Sequence, residues 1–430
     1  MKRHACAWHH LKQMSQKRIA LRFCLALFFC SFICSLAALA AVPEKPGSVP
    51  TAGEIHSILD ELSSITGFTI HRQLPFALIS RDEVNRYVKE QIRNSVKPDD
   101  IRAEELTLKK FGFAPADFDL RQTTIDLLTE QAAAFYDYHR RKLFISDWAA
   151  VNMRDAAIVH ELGHALADQN FTIEKFIGKK SEDSEESMAR DAVVEGQASW
   201  LMLEVSARRM GHTLAEPDTA RQFLLPQTSD SGDSEYPVFS KAPLYLRRTL
   251  MFPYDEGELF QQAVFLHEGQ SAFGRVFRQP PVSTAQILHP DLYFNSVAPT
   301  HPVLPKPLRH LKPFVTGTLG ELETRILLEQ YAGLDLAETL GPKLRGGEYR
   351  LDERKSDHRF TLTYESQWAD EESAAEYFDA YAKILNTKWK HVEKATEDAE
   401  HFSGKSEDGY FLLVRMGARV LSEEGFPDPL

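Results

Sequence analysis

The stretch that most constrains this chain is Val159-His160-Glu161-Leu162-Gly163-His164-Ala165-Leu166. Val159, Leu162 and Leu166 recur at i, i+3 and i+7, the spacing of one apolar helical stripe that faces a core. His160 and His164 are four apart, so their imidazoles leave a neighbouring stripe one turn apart. Two neutral imidazoles at that spacing grip one zinc ion. Glu161 sits beside them, placed to work on a metal-bound water rather than on the metal.

Catalytic zinc takes three protein ligands and keeps a fourth position for water. The metzincin pattern requires Gly at 167 and His at 170; the chain has Ala167 and Asn170, which removes that class. The third ligand is therefore expected on a later helix. Val194, Ala198, Leu201 and Val205 give such a helix an apolar face. Glu195 lies on this mostly small and apolar segment, where an unpaired carboxylate is costly. Gly196 and Ala198 carry almost no side chain, so another helix can approach closely there. The competing reading is an amphipathic helix with one exposed Glu. A zinc-bound imidazole usually donates its other N–H to a carboxylate, and Asp168 and Asp191 are the two candidates.

His160-Glu161-Leu162-Gly163-His164 followed by a helical Glu resembles the gluzincin branch of zinc metallopeptidases. The closer resemblance is to exported bacterial members that carry H-E-x-x-H-A-L-x-D-Q, then V-E-G-x-A, then P-P-x-S-T-x-Q-I-L-H-P. These are met from His160 to Gln169, from Val194 to Ala198 and from Pro280 to Pro290. The resemblance runs from about residue 55 to the C-terminus. It implies a zincin-like body and peptide-bond hydrolysis. One departure is the 30 residues between His164 and Glu195, more than in thermolysin-like enzymes. The connection thus carries an insertion, Phe171 to Ser187, expected as a flap near the cleft.

Composition bounds the partners. The chain has 430 residues, 43% hydrophobic and 26% charged, an ordinary globular balance long enough for one large or two modest domains. Its net charge is −12, with six Lys/Arg and no acid in residues 1–40, so the remainder carries −12 less those six, −18. That argues against nucleic acid and against an anionic membrane surface as partners. Residues 1–40 read as a signal peptide: a basic start from Lys2 to Arg22, an apolar Phe23 to Ala40, and Ala38-Leu39-Ala40 as the cleavage signal. The apolar run is slightly long, so the alternative is an uncleaved membrane-anchoring helix. No lipobox precedes a cysteine. All four cysteines (Cys6, Cys24, Cys30, Cys34) lie in this segment, so the exported chain has neither disulfides nor thiol catalysis.

Along the chain, Val42 to Thr51 reads as an extended lead-in and Glu54 to Ile65 as a helix. Phe68 to Ile70 and Phe76 to Ile79 look like strands. Ser80 and Glu83 form a capping box that starts a helix to about Ile92. Further helices are expected over Lys97 to Phe111 and Asp117 to Leu128. Ala134 to Tyr138 and Lys142 to Ile145 read as a β-hairpin, either a plain core hairpin or the edge strand that receives a peptide. Asn152 is the expected N-cap of the zinc helix. Pro226 to Tyr236 is a polar loop, and Phe252 to Gly257 leads into a helix through about Leu266. Ser283 to Gln286 is a second capping box, opening a short helix that ends at His289-Pro290. A peptidase needs a donor for the oxyanion, and His289 and Tyr254 are the candidates. Ser296 to Pro313 is a Pro-rich linker or a loop packed across the body. Leu319 to Tyr331 and Leu334 to Leu340 are expected helices. Gly346-Gly347 reads as a turn, and a β-β-α-β-β module follows, with its helix over Asp370 to Leu385.

The expected fold is α+β. Residues 41–315 form a zincin-like body, a mixed sheet over the zinc helix with a mostly helical middle. Residues 316–430 form a small α+β module. The expected function is that of an exported zinc metallopeptidase, periplasmic or secreted, acting on peptide or protein substrates. His160, His164 and Glu195 hold the Zn2+ and Glu161 is the general base. The alternative is a zincin-like, non-catalytic zinc-binding or assembly module of the cell envelope.

Overall fold

The computed structural model describes residues 50–95, 97–131, 134–148, 151–178, 184–224 and 236–429. The expected signal segment, most of the Val42 to Thr51 lead-in and nearly all of the Pro226 to Tyr236 loop lie outside these residues. The chain opens with α1 (Ala52–Thr66), β1 (Phe76–Ile79), α2 (Arg81–Ser95), α3 (Pro98–Phe111), α4 (Leu120–Gln131) and the hairpin β2 (Ala134–Asp137) and β3 (Lys142–Ser146). Then come α5 (Val151–Phe171), α6 (Ile173–Ile177), α7 (Ser184–Arg209), α8 (Pro217–Leu224), α9 (Pro237–Lys241) and α10 (Leu244–Glu268). Three short helices follow, α11 (Ser271–Arg278), α12 (Thr284–Leu288) and α13 (Pro290–Phe294). The last part holds β4 (Leu311–Thr318), α14 (Glu321–Ala332), α15 (Leu334–Leu340), β5 (Leu344–Arg354), β6 (Phe360–Trp368), α16 (Glu371–Lys388), β7 (Val392–Glu397), β8 (His401–Ser406), β9 (Gly409–Met416) and β10 (Arg419–Phe426).

The strands form two sheets. The first has the order β1-β3-β2, with β1 parallel and β2 antiparallel to β3, so β2 is an edge. The second is antiparallel throughout, in the order β4-β5-β6-β10-β9-β8-β7. The architecture is thus mixed α+β.

Packed against α5 and α10 stands α7, buried at nearly every position from Ser184 to Val205. A helix buried all round is a core helix, not a surface one. It crosses α10 where backbone meets backbone: a Cβ built on Gly196 would stand 2.1 Å from the carbonyl carbon of Gly257. The absence of a side chain at both residues is what permits this approach. On its other side α7 meets α5 at Gly163 and Ala198.

One hydrophobic core runs through both halves of the chain, from Ile55 to Val420. Phe111, at the end of α3, packs edge-on against Tyr349 and Tyr364 of the second sheet, at 5.2 and 5.3 Å between ring centres. Lys388 donates to the carbonyl of Lys110, and Tyr331 to that of Gly112. The second sheet is therefore sealed onto the body, not tethered to it. It begins at Leu311, ahead of the expected boundary at 316.

Several expectations need correction. Phe68 to Ile70 is not a strand; Gln169 and Asn170 of α5 bind the backbone of residues 69, 71 and 72 instead. Asn152 lies inside α5, which starts at Val151. Phe252 to Gly257 is mid-helix, because α10 begins at Leu244 and runs through Pro253. Ser283 does accept from the Gln286 N–H, but the Gln286 side chain accepts from Val282, so that box is half formed. Of the two readings of the Pro-rich Ser296 to Pro313, the packed loop is the one found: Thr300 donates to the Arg345 carbonyl, and Arg350 donates to that of Pro305. Gly346 and Gly347 lie within β5, and the tail has four strands after α16 instead of two.

Candidate metal centre

α5 presents His160 and His164 from one side, and α7 presents Glu195 from the other. The two Nε2 atoms are 3.0 Å apart. Each lies 3.2 Å from Oε2 of Glu195. Ligand atoms bound at ~2.0–2.1 Å to a small tetrahedral ion stand about 3.3 Å from one another. The triangle is therefore close to the size such an ion requires. All three residues are buried, at 1%, 5% and 2% exposure. Packing fixes the side chains in this convergent arrangement. The buried His160, Glu161 and His164 form a group that could hold a metal ion, with ligand atoms within 4.8 Å of one another. Glu195 completes that group more closely than Glu161 does, since its oxygen touches both imidazoles.

Electrostatics suit a cation. Burial pushes His160 down to about 4, so it is neutral at neutral pH. Burial also acts downward on His164, but Glu195 and Glu161 outweigh it and raise that imidazole. Burial opposes the charge on Glu195, yet the two imidazoles prevail and hold it down at about 2. Burial and the neighbouring charges thus shift the two imidazoles in opposite directions.

Glu161 has its own support. Its Oε2 accepts the backbone N–H of Tyr136 on β2 at 2.7 Å. A backbone donor of β2 thus orients this carboxylate. Asp168 does not back an imidazole; it accepts from the Tyr136 hydroxyl at 3.0 Å, from Arg72 at 3.1 Å and from the Ile173 N–H. It acts through Tyr136, the residue that holds Glu161. Asp191 is buried on α7, but it does not bond His160, whose Nδ1 has no hydrogen-bond partner.

Tyr254 is brought to the centre. Its ring lies 6.0 Å from that of His160, nearly parallel at 25°. His289 is not. It links α12 to α13, with Nε2 at 2.9 Å from Glu321 and 3.4 Å from Arg325. It lines a cavity of about 430 Å³ beside Glu185 and Glu321, and none of the three converging residues borders that cavity. The His-Pro step serves a helix junction and an ion-paired cluster there. The described part of the expected flap is also packed down: Ile173, Phe176 and Ile177 of α6 are buried.

Two residues escaped the sequence reading. Tyr136 supplies the N–H and hydroxyl contacts above. Tyr138 places its ring 6.2 Å from His164. Burial first, then the charges of Glu195 and Glu161, raises its phenol well above the usual value. Tyr136 lies on β2 and Tyr138 in the turn directly after it, so the available signal was only their i, i+2 spacing just ahead of the histidine helix.

No described helix is long and apolar enough to cross a membrane. In comparison with known proteins, no family model, no curated protein and no solved structure matches this chain.

Proposed function

We propose that this protein is an exported, zinc-dependent metallopeptidase of gluzincin type, with a zincin-like body. The observation that carries the reading is the convergence of His160, His164 and Glu195 on one point, with Glu161 held next to it by Tyr136. A His2Glu set is a catalytic zinc set that leaves a position for water. When bound, zinc lowers the pKa of that water and polarises the scissile carbonyl. Glu161 takes a proton from the water as its oxygen bonds to the carbonyl carbon. It then returns a proton to the amine as the carbon–nitrogen bond breaks. Export is supported by the basic, apolar and A-x-A pattern of residues 1–40.

The test is cleavage of an unbiased peptide library by residues 41–430, beside Glu161→Gln at matched zinc content. The parent is expected to cleave, and the variant to be slower by about 10²–10⁴-fold. Zinc bound to both with cleavage by neither would replace the peptidase with a zinc-binding assembly module.

A further inference from the structure

The cavity of about 430 Å³ beside His289 has no part in the metal centre. Glu185 on its wall precedes Glu195 by ten residues of α7, about 15 Å along the helix at ~1.5 Å per residue. Its volume lies within the span of small-ligand sites, about 300–1,000 Å³. Separate parts of the chain fix the walls. Thr300 of the Pro-rich loop donates to the Arg345 carbonyl at 2.7 Å. Gly320 lies so close to Glu185 that a Cβ there would collide with its carboxylate. Leu292, Val297, Leu319 and Leu344 make much of the lining apolar. Its charged groups are Glu185, Asp291, Glu321 and Arg345. Three carboxylates against one guanidinium leave a formal −2, counting the imidazoles as neutral. Arg325, which pairs with Glu321 from outside the lining, brings this to −1. Arg345 turns its guanidinium to the Pro342 and Leu344 carbonyls. Glu321 is 2% exposed. Its Oε1 takes His289 Nε2 at 2.9 Å, Arg325 Nε at 2.8 Å and Arg325 Nη2 at 2.5 Å. Its Oε2 bonds no described residue. A carboxylate oxygen taken from bulk water without a donor is costly. A cation in the cavity would supply that donor.

We propose that this cavity binds a cationic group on an aliphatic stem, a guanidinium or ammonium of the Arg or Lys side-chain kind, with the apolar walls around the stem and the charge on Oε2 of Glu321. Long basic side chains are built this way, apolar along their methylenes and charged at the tip. An anion would meet the net negative charge of the lining. A wholly apolar ligand would leave Oε2 without a donor. A free organic cation and a basic residue of a peptide share the required chemistry. The site uses no residue of the metal centre, so it stands or falls separately from the peptidase reading.

The experiment is calorimetric titration of the purified protein with n-butylguanidinium and with n-butylurea, its neutral counterpart of the same shape. A second pair is the capped pentapeptide Ala-Ala-Arg-Ala-Ala and its citrulline twin, run in the Glu161→Gln background so that cleavage does not enter. The guanidinium member of at least one pair is expected to bind at or below about 1 mM, and its neutral counterpart about 10–100-fold more weakly. Equal affinity for butylguanidinium and the Arg peptide would mark a site for a free cation. Affinity at least about tenfold higher for the peptide would mark a subsite for a basic residue in a chain. Either supports the proposal. Glu321→Gln is expected to weaken binding by the same 10–100-fold. Ala298→Trp, a change at an exposed position of the lining, is expected to abolish it by filling the space. If Glu321→Gln fails to fold, Ala298→Trp decides alone. Equal binding of charged and neutral probes, no binding by any of the four, or undiminished binding in Ala298→Trp would each overturn the proposal, and none of these bears on zinc or on peptide cleavage.

Discussion

An imidazole that is to hold a metal must first give up its proton. At this centre the cost falls unevenly. His160 is already neutral at pH 6, because burial holds it near 4. His164 is not, because Glu195 and Glu161 raise it above its ordinary 6.5. Zinc loading at pH 6 is therefore expected to release about one proton per ion. The sign follows: affinity rises about tenfold per pH unit while His164 remains protonated in the free protein, and flattens once pH passes its raised pKa. Titration in weak buffer with a pH indicator checks this, and loading without proton release would remove His164 from the ligand set. Much of the centre was legible in sequence because its residues sit at fixed helical offsets, His160 and His164 on one turn and Glu195 beside a glycine. The outer contacts were not. Asp168 is one turn from His164, yet it turns to Tyr136 and Arg72, partners distant in sequence that only the fold supplies.

Helices and strands show the same division. β2, β3, α15 and the Ser80–Glu83 start of α2 follow local rules, since alternation and capping are set by near neighbours. The missed elements are held by tertiary contacts. α10 continues through Pro253 because Phe252 and Tyr254 are buried on either side of it, offsetting a helical cost of about 3 kcal/mol. β7 is almost wholly exposed and polar, and exists only as the ladder partner of β8. Gly346 reads as a turn residue but serves close approach, since a Cβ there would stand 1.9 Å from the Thr300 carbonyl oxygen. The contacts between α5, α7 and α10 lead to a paired prediction. Gly196→Ala forces α7 from α10 and is expected to cost at least about 1–3 kcal/mol, with reduced zinc occupancy because Glu195 is the adjacent residue. Gly163→Ala meets its nearest neighbour at 3.5 Å, an ordinary contact, and gains helix propensity of up to about 1 kcal/mol. Chemical denaturation of the two variants separates them; equal stability would mean that the α7–α10 crossing yields.

At the scale of the whole molecule, the sequence suggested a body and an appended module, whereas the structure has one core. Phe111 is clasped by Tyr349 and Tyr364, and Ser184, at the head of α7, bonds Thr318 of β4. Composition and periodicity mark which faces are apolar, but not which distant face covers them. Residues 41–310 alone are therefore expected to lack a cooperative unfolding transition, while 41–430 unfolds in one step; calorimetry of both decides, and a folded 41–310 monomer would restore two domains. The shared core also has a consequence in time. Every residue from Ala52 to Arg278 is made before the first strand of the covering sheet begins at Leu311. At roughly 5–20 residues per second, the 120 residues from Leu311 to Leu430 take about another 6–24 s. Throughout that interval the nascent chain carries both histidines and Glu195, but not the sheet that covers Phe111. The strands that cover Phe111 set the moment at which its core can close.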